Sequence, residues 1–366
     1  MNRVVLVDNE PFTLRREQLF YINDLINDGF CVEVWDVSFF SNVGRDVPDK
    51  IDLNYVHEVN NINKLRLLLD NIEIKETCFI VECNLDRFNY PIFRELCKRE
   101  CYTVKFDFYS NIIYGKQTLT LKTIGRRMLH LPSFLFNKII DYFKWRNINY
   151  NVYLSPYNSP MVTGGINHPD YNDFVFHREP PILNYPYIVF CDMYYPLHPE
   201  EKALFGDVDP SSYYNHMKCL FDYIEKQTGL PVVIAAHPKA IYEHMEFGER
   251  VIIKYKTNNL VVNSSKVIVH KSNSISFAVL ANKEILCVAN SHMLNFNYLK
   301  VGFLGLQQVL GLHIHNIDDE DYSAFMFEHI EEKRRNDYIF KYLTTQETMK
   351  TENYVIIRST IYNAHI

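Results

Sequence analysis

No run of 18 uncharged apolar residues occurs in the 366-residue chain, so no membrane-spanning helix is expected. The opening "MNRVVLVDNEPF" enters a strand pattern at once and lacks the zones of a secretory leader. Neither GxGxxG nor a Walker-type P-loop is present, which removes the usual signatures of dinucleotide and ATP sites. The eight cysteines, among them Cys78 and Cys83 in "TCFIVEC" and Cys287 in "EILCVAN", have no zinc-site spacing. They read as reduced, buried thiols of a cytosolic protein, and no metal or other cofactor is expected. A basic surplus is also missing. Lys and Arg number 38 against 44 Asp and Glu, for a net charge of −6, and this argues against nucleic acid as a partner.

The chain does have enough apolar content to fold, at 47% hydrophobic and 22% charged, and its length suggests two domains. "RVVLVD", "FCVEVWDVS", "TCFIVEC" and "YTVKFDF" read as strands. They alternate with the helical patterns "FTLRREQLFYINDLINDG", "INKLRLLLDNI" and "NYPIFRELCKREC". A second alternation begins at "YPYIVFCD" and continues through "LPVVIAAHPK", "KVIVH" and "EILCVAN". The expected fold is α/β, with two Rossmann-like domains facing each other across a cleft. The first would cover residues 1–160. A linker would follow over 161–184 and the second domain over 185–318. A helical tail, 319–366, would pack back on the first domain. Within the first domain, residues 119–150 carry Lys122, Arg126, Arg127, Lys138, Lys144 and Arg146 against the single acid Asp141. With Leu, Ile and Phe interleaved, this segment reads as an amphipathic contact with an anionic membrane face, or as a solvated lid.

Two strands end in histidine. "VVIAA" runs into His237-Pro238-Lys239, and "KVIV" runs into His270 with Ser272, Ser274 and Ser276 behind it. Hydroxyls and free N–H groups where a strand turns into a helix bind phosphate oxygens. Two histidines on neighbouring strand ends would hydrogen-bond the same phosphates, and Lys239 would add a point charge. A third strand end, "CDMYYPLHPEE", contributes Asp192 as a further candidate catalytic carboxylate that would bind a sugar hydroxyl, with Tyr194 and His198 as contacts for an acceptor or a donor. Asp8 and Glu10 close the first strand. Either carboxylate would serve as general base for a hydroxyl that attacks, in competition with Glu82 and Asp107.

Over residues 185–290 these motifs resemble bacterial surface-carbohydrate biosynthesis proteins, glycosyltransferases of the GT-B architecture. The His-Pro pair and the serines are also similar to those of bacterial sialyltransferases, polysialyltransferases and Kdo transferases. That resemblance implies that His237, Ser272 and Ser274 hold the phosphate of a CMP-sugar and that a first-domain acid is the base. The chain departs from the pattern in its spaced Ser-x-Ser and in Asp8-Asn9-Glu10-Pro11, which has no following glycine. Teichoic-acid glycerophosphotransferases are similar too and use a CDP-polyol. The resemblance therefore implies metal-independent transfer of a sugar from a nucleotide-activated donor, CMP-linked or UDP-linked, to a glycan or lipid-linked glycan. The site would lie in the cytoplasm at the inner face of the membrane. The alternatives are a CDP-polyol phosphotransferase and a non-catalytic nucleotide- or carbohydrate-binding partner.

Overall fold

The computed structural model describes residues 3–41, 53–109, 148–157, 159, 161–198, 208–242, 246–319 and 321–364. Most of the basic segment 119–150 lies outside these residues. The chain divides into two compact units. The first holds the described residues up to 109, residues 148–167, and everything from Thr344 on, while the second runs His168–Leu343. The division falls elsewhere than the sequence suggests. The expected linker splits at Asn167, and the expected tail splits at Leu343.

In the first unit the strands are β1 (Arg3–Asp8), β2 (Cys31–Asp36), β3 (Val56–Glu58), β4 (Thr77–Glu82), β5 (Tyr102–Phe106) and β6 (Val152–Leu154). All pairings are parallel, in the order β3-β2-β1-β4-β5-β6. Alternate side chains of β1 feed two cores. Val4 and Leu6 meet Phe12, Phe20, Ile22, Ile357 and Ile361 on one face. Val5 and Val7 meet Trp35, Leu65, Phe79 and Ile92 on the other. The single helix expected over "FTLRREQLFYINDLINDG" is instead two, Leu14–Leu19 and Ile22–Asn27. Tyr21 takes a left-handed backbone, φ 53, and this break allows both Phe20 and Ile22 to be fully buried.

In the second unit the strands are β7 (Ile188–Cys191), β8 (Val232–Ala236), β9 (Ile252–Lys254), β10 (Lys266–Val269), β11 (Ile285–Ala289) and β12 (Ile314–Asn316). They form a second parallel sheet, ordered β12-β11-β10-β7-β8-β9. The helix Pro210–Thr228 shows how locally these elements are specified. Asp209 accepts the Ser211 N–H at 3.0 Å, Pro210 stands first, and Gly229 closes the helix at φ 68, a left-handed backbone that glycine adopts without strain. The tail expected to be helical from residue 321 is partly extended. Glu328 pairs with Ile285 at the sheet, and the helix begins only at Glu332. Among the described residues no helix is long and apolar enough to cross a membrane.

The first unit is completed by the last helix, Asn353–Asn363, through Ile357 and Ile361. Asn353 also satisfies both backbone groups of Asn167. It accepts the Asn167 N–H at 2.9 Å and donates to the Asn167 carbonyl at 2.8 Å. The Asn167 side chain donates to the carbonyls of Thr348 and Thr351 and accepts from the Thr344 hydroxyl at 2.6 Å. Asn353→Ala would leave a buried N–H and a buried carbonyl unpaired, at a cost of about 2–4 kcal/mol. A urea melt of the full chain should show the first unit's transition moving to lower denaturant while the second unit's transition stays in place.

Candidate functional site

In a parallel sheet the carboxyl ends of the strands and the loops after them form one edge, and ligands bind where the strand order reverses. The second unit reverses between β7 and β10, and the first between β1 and β4.

On the second unit's edge, Asp192 follows β7 and is nearly fully buried. Its Oδ2 accepts the Tyr242 hydroxyl, and the backbone N–H groups of Tyr194, His237 and Met193 face the carboxylate. Burial pushes this carboxyl up to about 6, against the pull of those donors. The Tyr194 ring stands edge-on to Tyr242 at 5.9 Å, and its hydroxyl donates to the Ile241 carbonyl. His237 follows β8 and is half-buried. Its Nδ1 accepts the Lys239 N–H at 3.1 Å, so the neutral ring carries its proton on Nε2. His198 sets its ring edge-to-face on His237 at 4.9 Å. The structure thus gathers Asp192, Tyr194, His198 and His237 into one cluster. Lys239 joins it through its backbone, with its side chain exposed.

The residues after β10 divide. Ser272 and Ser274 are partly exposed, and the Ser272 hydroxyl accepts the Ser274 N–H at 3.2 Å. His270 and Ser276 do not reach the edge, contrary to the sequence expectation that both contact phosphate. His270 is fully buried. Its Nδ1 donates to the Val288 carbonyl at 2.6 Å, and its Nε2 accepts the Tyr213 hydroxyl at 2.8 Å. Burial lowers its pKa to about 4, so the ring is neutral and both nitrogens are committed. Ser276 is likewise buried, bonded to the Tyr338 hydroxyl at 3.1 Å inside the unit.

On the first unit's edge, Asp8 is fully buried and held by Arg16, whose Nε lies 2.7 Å from Oδ2. Its Oδ1 accepts the Glu10 N–H at 3.0 Å. The Asp8 carboxyl is also pushed up to about 6. The largest cause is burial, opposed by Arg16, and repulsion from Glu10 is a minor addition. Asp8 lies in register with Asp36 and with Glu82, so three carboxylates end adjacent strands. Glu82 is tied to Lys105 at 2.6 Å and to the Phe106 N–H, and Asp107 accepts the Tyr153 hydroxyl at 2.7 Å. Glu10 differs from these, with a side chain 58% exposed and only a long 3.5 Å pairing to Arg16.

Sequence reasoning missed Arg16, Tyr213 and Tyr242, which hold Asp8, His270 and Asp192. Tyr242 follows Pro238 closely enough that the strand-end turn "HPKAIY" was a signal for it. Tyr213 sits 57 residues before its partner and gave none. Among the described residues no three His, Cys, Asp or Glu side chains converge as a metal site.

No protein-family model matches the sequence, and no curated protein matches it. Among solved structures, a variant of the wall teichoic acid polymerase TagF superposes with a TM-score of 0.55 at 9% identity, over 99% of this chain and 89% of that one. That likeness establishes the fold: α/β, with two parallel-sheet units. Other matches are a UDP co-structure of S. aureus MnaA, at TM-score 0.47, 9% identity and coverage of 100% and 98%, and Acinetobacter baumannii MurG, at 0.45, 6%, and coverage of 99% and 100%.

Asp192 and Asp8 both hold protons more tightly folded than unfolded. The stability they contribute is fully present below about pH 4 and is lost as pH rises to about 6. Tyr242→Phe removes a donor to the Asp192 carboxylate and should raise its pKa further, by roughly 1 unit. Carboxyl carbon-13 NMR titration of the variant reads this directly. An unmoved midpoint would mean that the hydroxyl does not stabilise the charge.

Proposed function

We propose that the chain is a metal-independent glycosyltransferase. It moves a sugar from a nucleotide-activated donor, with a CMP-sugar favoured and a UDP-sugar as the other candidate, to a hydroxyl of a bacterial surface glycan. The observation that carries this reading is the fixed tautomer of His237. With Nδ1 accepting the Lys239 N–H, the neutral ring carries its proton on Nε2, the tautomer that donates to a phosphate oxygen. His198 abuts the ring, and the Ser272 and Ser274 hydroxyls lie two strands away on the same edge. In the reaction the acceptor hydroxyl attacks the anomeric carbon, and the bond from that carbon to the phosphate oxygen breaks. The electron pair leaves on the phosphate, where His237 and the serines stabilise it. The acceptor proton passes to a carboxylate. Glu10 is the proposed base because it is the exposed one, mounted by the Asp8–Arg16 pair beneath it. Asp192, closed in by donors, holds the loop of Tyr194 and His198 in place. The basic stretch 119–150 is proposed to keep the enzyme at an anionic membrane where the acceptor is anchored.

A second reading is polyol-phosphate transfer from a CDP-polyol, with attack at phosphorus and CMP as the leaving group. The fold shared with a wall teichoic acid polymerase favours it. The two readings separate by product, since only phosphoryl transfer leaves phosphate in the acceptor.

Thermal shift against CMP, CDP, UDP, GDP and ADP tests the shared premise, because a ligand at 100 times its Kd stabilises by about 2.7 kcal/mol. A cytidine nucleotide should raise Tm in the wild type and not in His237→Ala. No response to any nucleotide would point to a binding protein for glycan alone. Glu10→Gln should keep nucleotide binding while turnover falls roughly 10²–10⁴-fold. Wild-type turnover in that variant would transfer the role of base to Asp8, Glu82 or Asp107.

A further inference from the structure

Tyr255 stands at the carboxyl end of β9 with a left-handed backbone, φ 60. The chain turns there from β9 into the helix Thr257–Asn263 within two residues. Glycine meets such a turn without strain and asparagine tolerates it, whereas a tyrosine crowds its Cβ against the following carbonyl oxygen. Packing offsets little of that cost, because the residue is 65% exposed.

The strained position lies beside the His-Pro turn. Parallel pairing sets Lys254 opposite Ala236, so Tyr255 follows β9 as His237 follows β8. The Tyr255 hydroxyl donates to the Pro238 carbonyl at 3.4 Å. That bond ties the tip of the ring to the turn while most of the residue's surface stays exposed. Farther along the same turn Ile241 is 63% exposed, and its carbonyl accepts the Tyr194 hydroxyl at 3.1 Å. Apolar surface is thus presented on both sides of the turn that carries His237.

Backbone strain in a residue that adds little to a core points to a position shaped by function. A nucleotide carries a flat π-face as well as a phosphate, and an aromatic ring is its natural partner. A ring already tethered loses little further freedom when a ligand arrives, which favours binding. We propose that Tyr255 is the platform on which the nucleobase of the donor stacks, while His237 takes the phosphate. The proposal rests on the reading of this edge as the nucleotide site. Every base has a π-face, so Tyr255 would add affinity for the nucleoside without choosing between cytosine and uracil.

Calorimetric titration of the full chain with CMP, UMP and ribose 5-phosphate tests it. The last of these carries sugar and phosphate but no base. Tyr255→Asn suits the left-handed backbone and removes the ring. It should weaken CMP and UMP by similar factors, roughly five- to a hundredfold, leave ribose 5-phosphate as in the wild type, and hold or raise Tm. Tyr255→Phe keeps the ring and drops only the tether, and should bind CMP close to the wild type. Tyr255→Gly takes the place of the asparagine variant if that one does not fold. Wild-type CMP affinity in the variant without a ring would overturn the proposal and leave the nucleotide site standing. A loss in Tyr255→Phe as large as in Tyr255→Asn would also overturn it, since the hydroxyl and not the ring would then carry the effect. So would an equal loss for ribose 5-phosphate, which has nothing to stack. If the wild type binds neither CMP nor UMP, the nucleotide reading itself fails and takes this proposal with it.

Discussion

Parallel pairing on both sides of one central strand governs the rest of the structure. β1 pairs with β2 and β4, and β7 pairs with β8 and β10, all in the same direction. Crossovers between parallel strands are right-handed, so a chain that turns back to the other side of its starting strand must pass over the opposite face of the sheet. The loops leaving the two central neighbours therefore diverge and open the carboxyl edge. Asp8 and Glu82 in one unit and Asp192 in the other end strands that flank that divergence.

The two edges handle buried charge differently. In the first unit Asp8 is balanced by the guanidinium of Arg16, and Glu82 by Lys105. In the second unit the groups that face Asp192 among the described residues are neutral, a phenol and three backbone N–H groups. Asp8 and Asp192 both stand at about 6, so each costs stability at neutral pH. The ionic solution fixes a rigid platform with one exposed acid, Glu10, above it.

The central strands were legible because burial on both faces demands continuous apolar runs, and "VVLV", "CFIV" and "VVIAA" have no other ready reading. The four edge strands β3, β6, β9 and β12 have three residues each, too few for any periodicity to show. The site was half legible for a related reason. A histidine after an apolar run marks a strand end but not the direction of its ring. His237 is carried outward by the turn at Pro238, whereas His270 finds a carbonyl and a phenol inside. The serines repeat at every second position, which is a strand's period. The chain there is already turning into the helix Ile275–Leu280, so Ser276 rotates into the core while Ser272 and Ser274 stay at the surface.

The chain changes unit at Asn167–His168 and again at Leu343–Thr344, and these two points are neighbours. The His168 N–H donates to the Leu343 carbonyl at 2.8 Å within the second unit, and Thr344 donates to Asn167 within the first. The last helix then fills the core beside Val4 and Leu6, some 350 residues away in sequence. Contacts of that separation form late, because the entropy of closing so long a loop must be met before they contribute. The first unit therefore lacks part of its own core until the whole chain is present. The described residues of the second unit all fall within His168–Leu343. Those of the His237 edge are among them, whereas the Asp8–Glu10 edge waits for Ile357 and Ile361 at the far end of the chain.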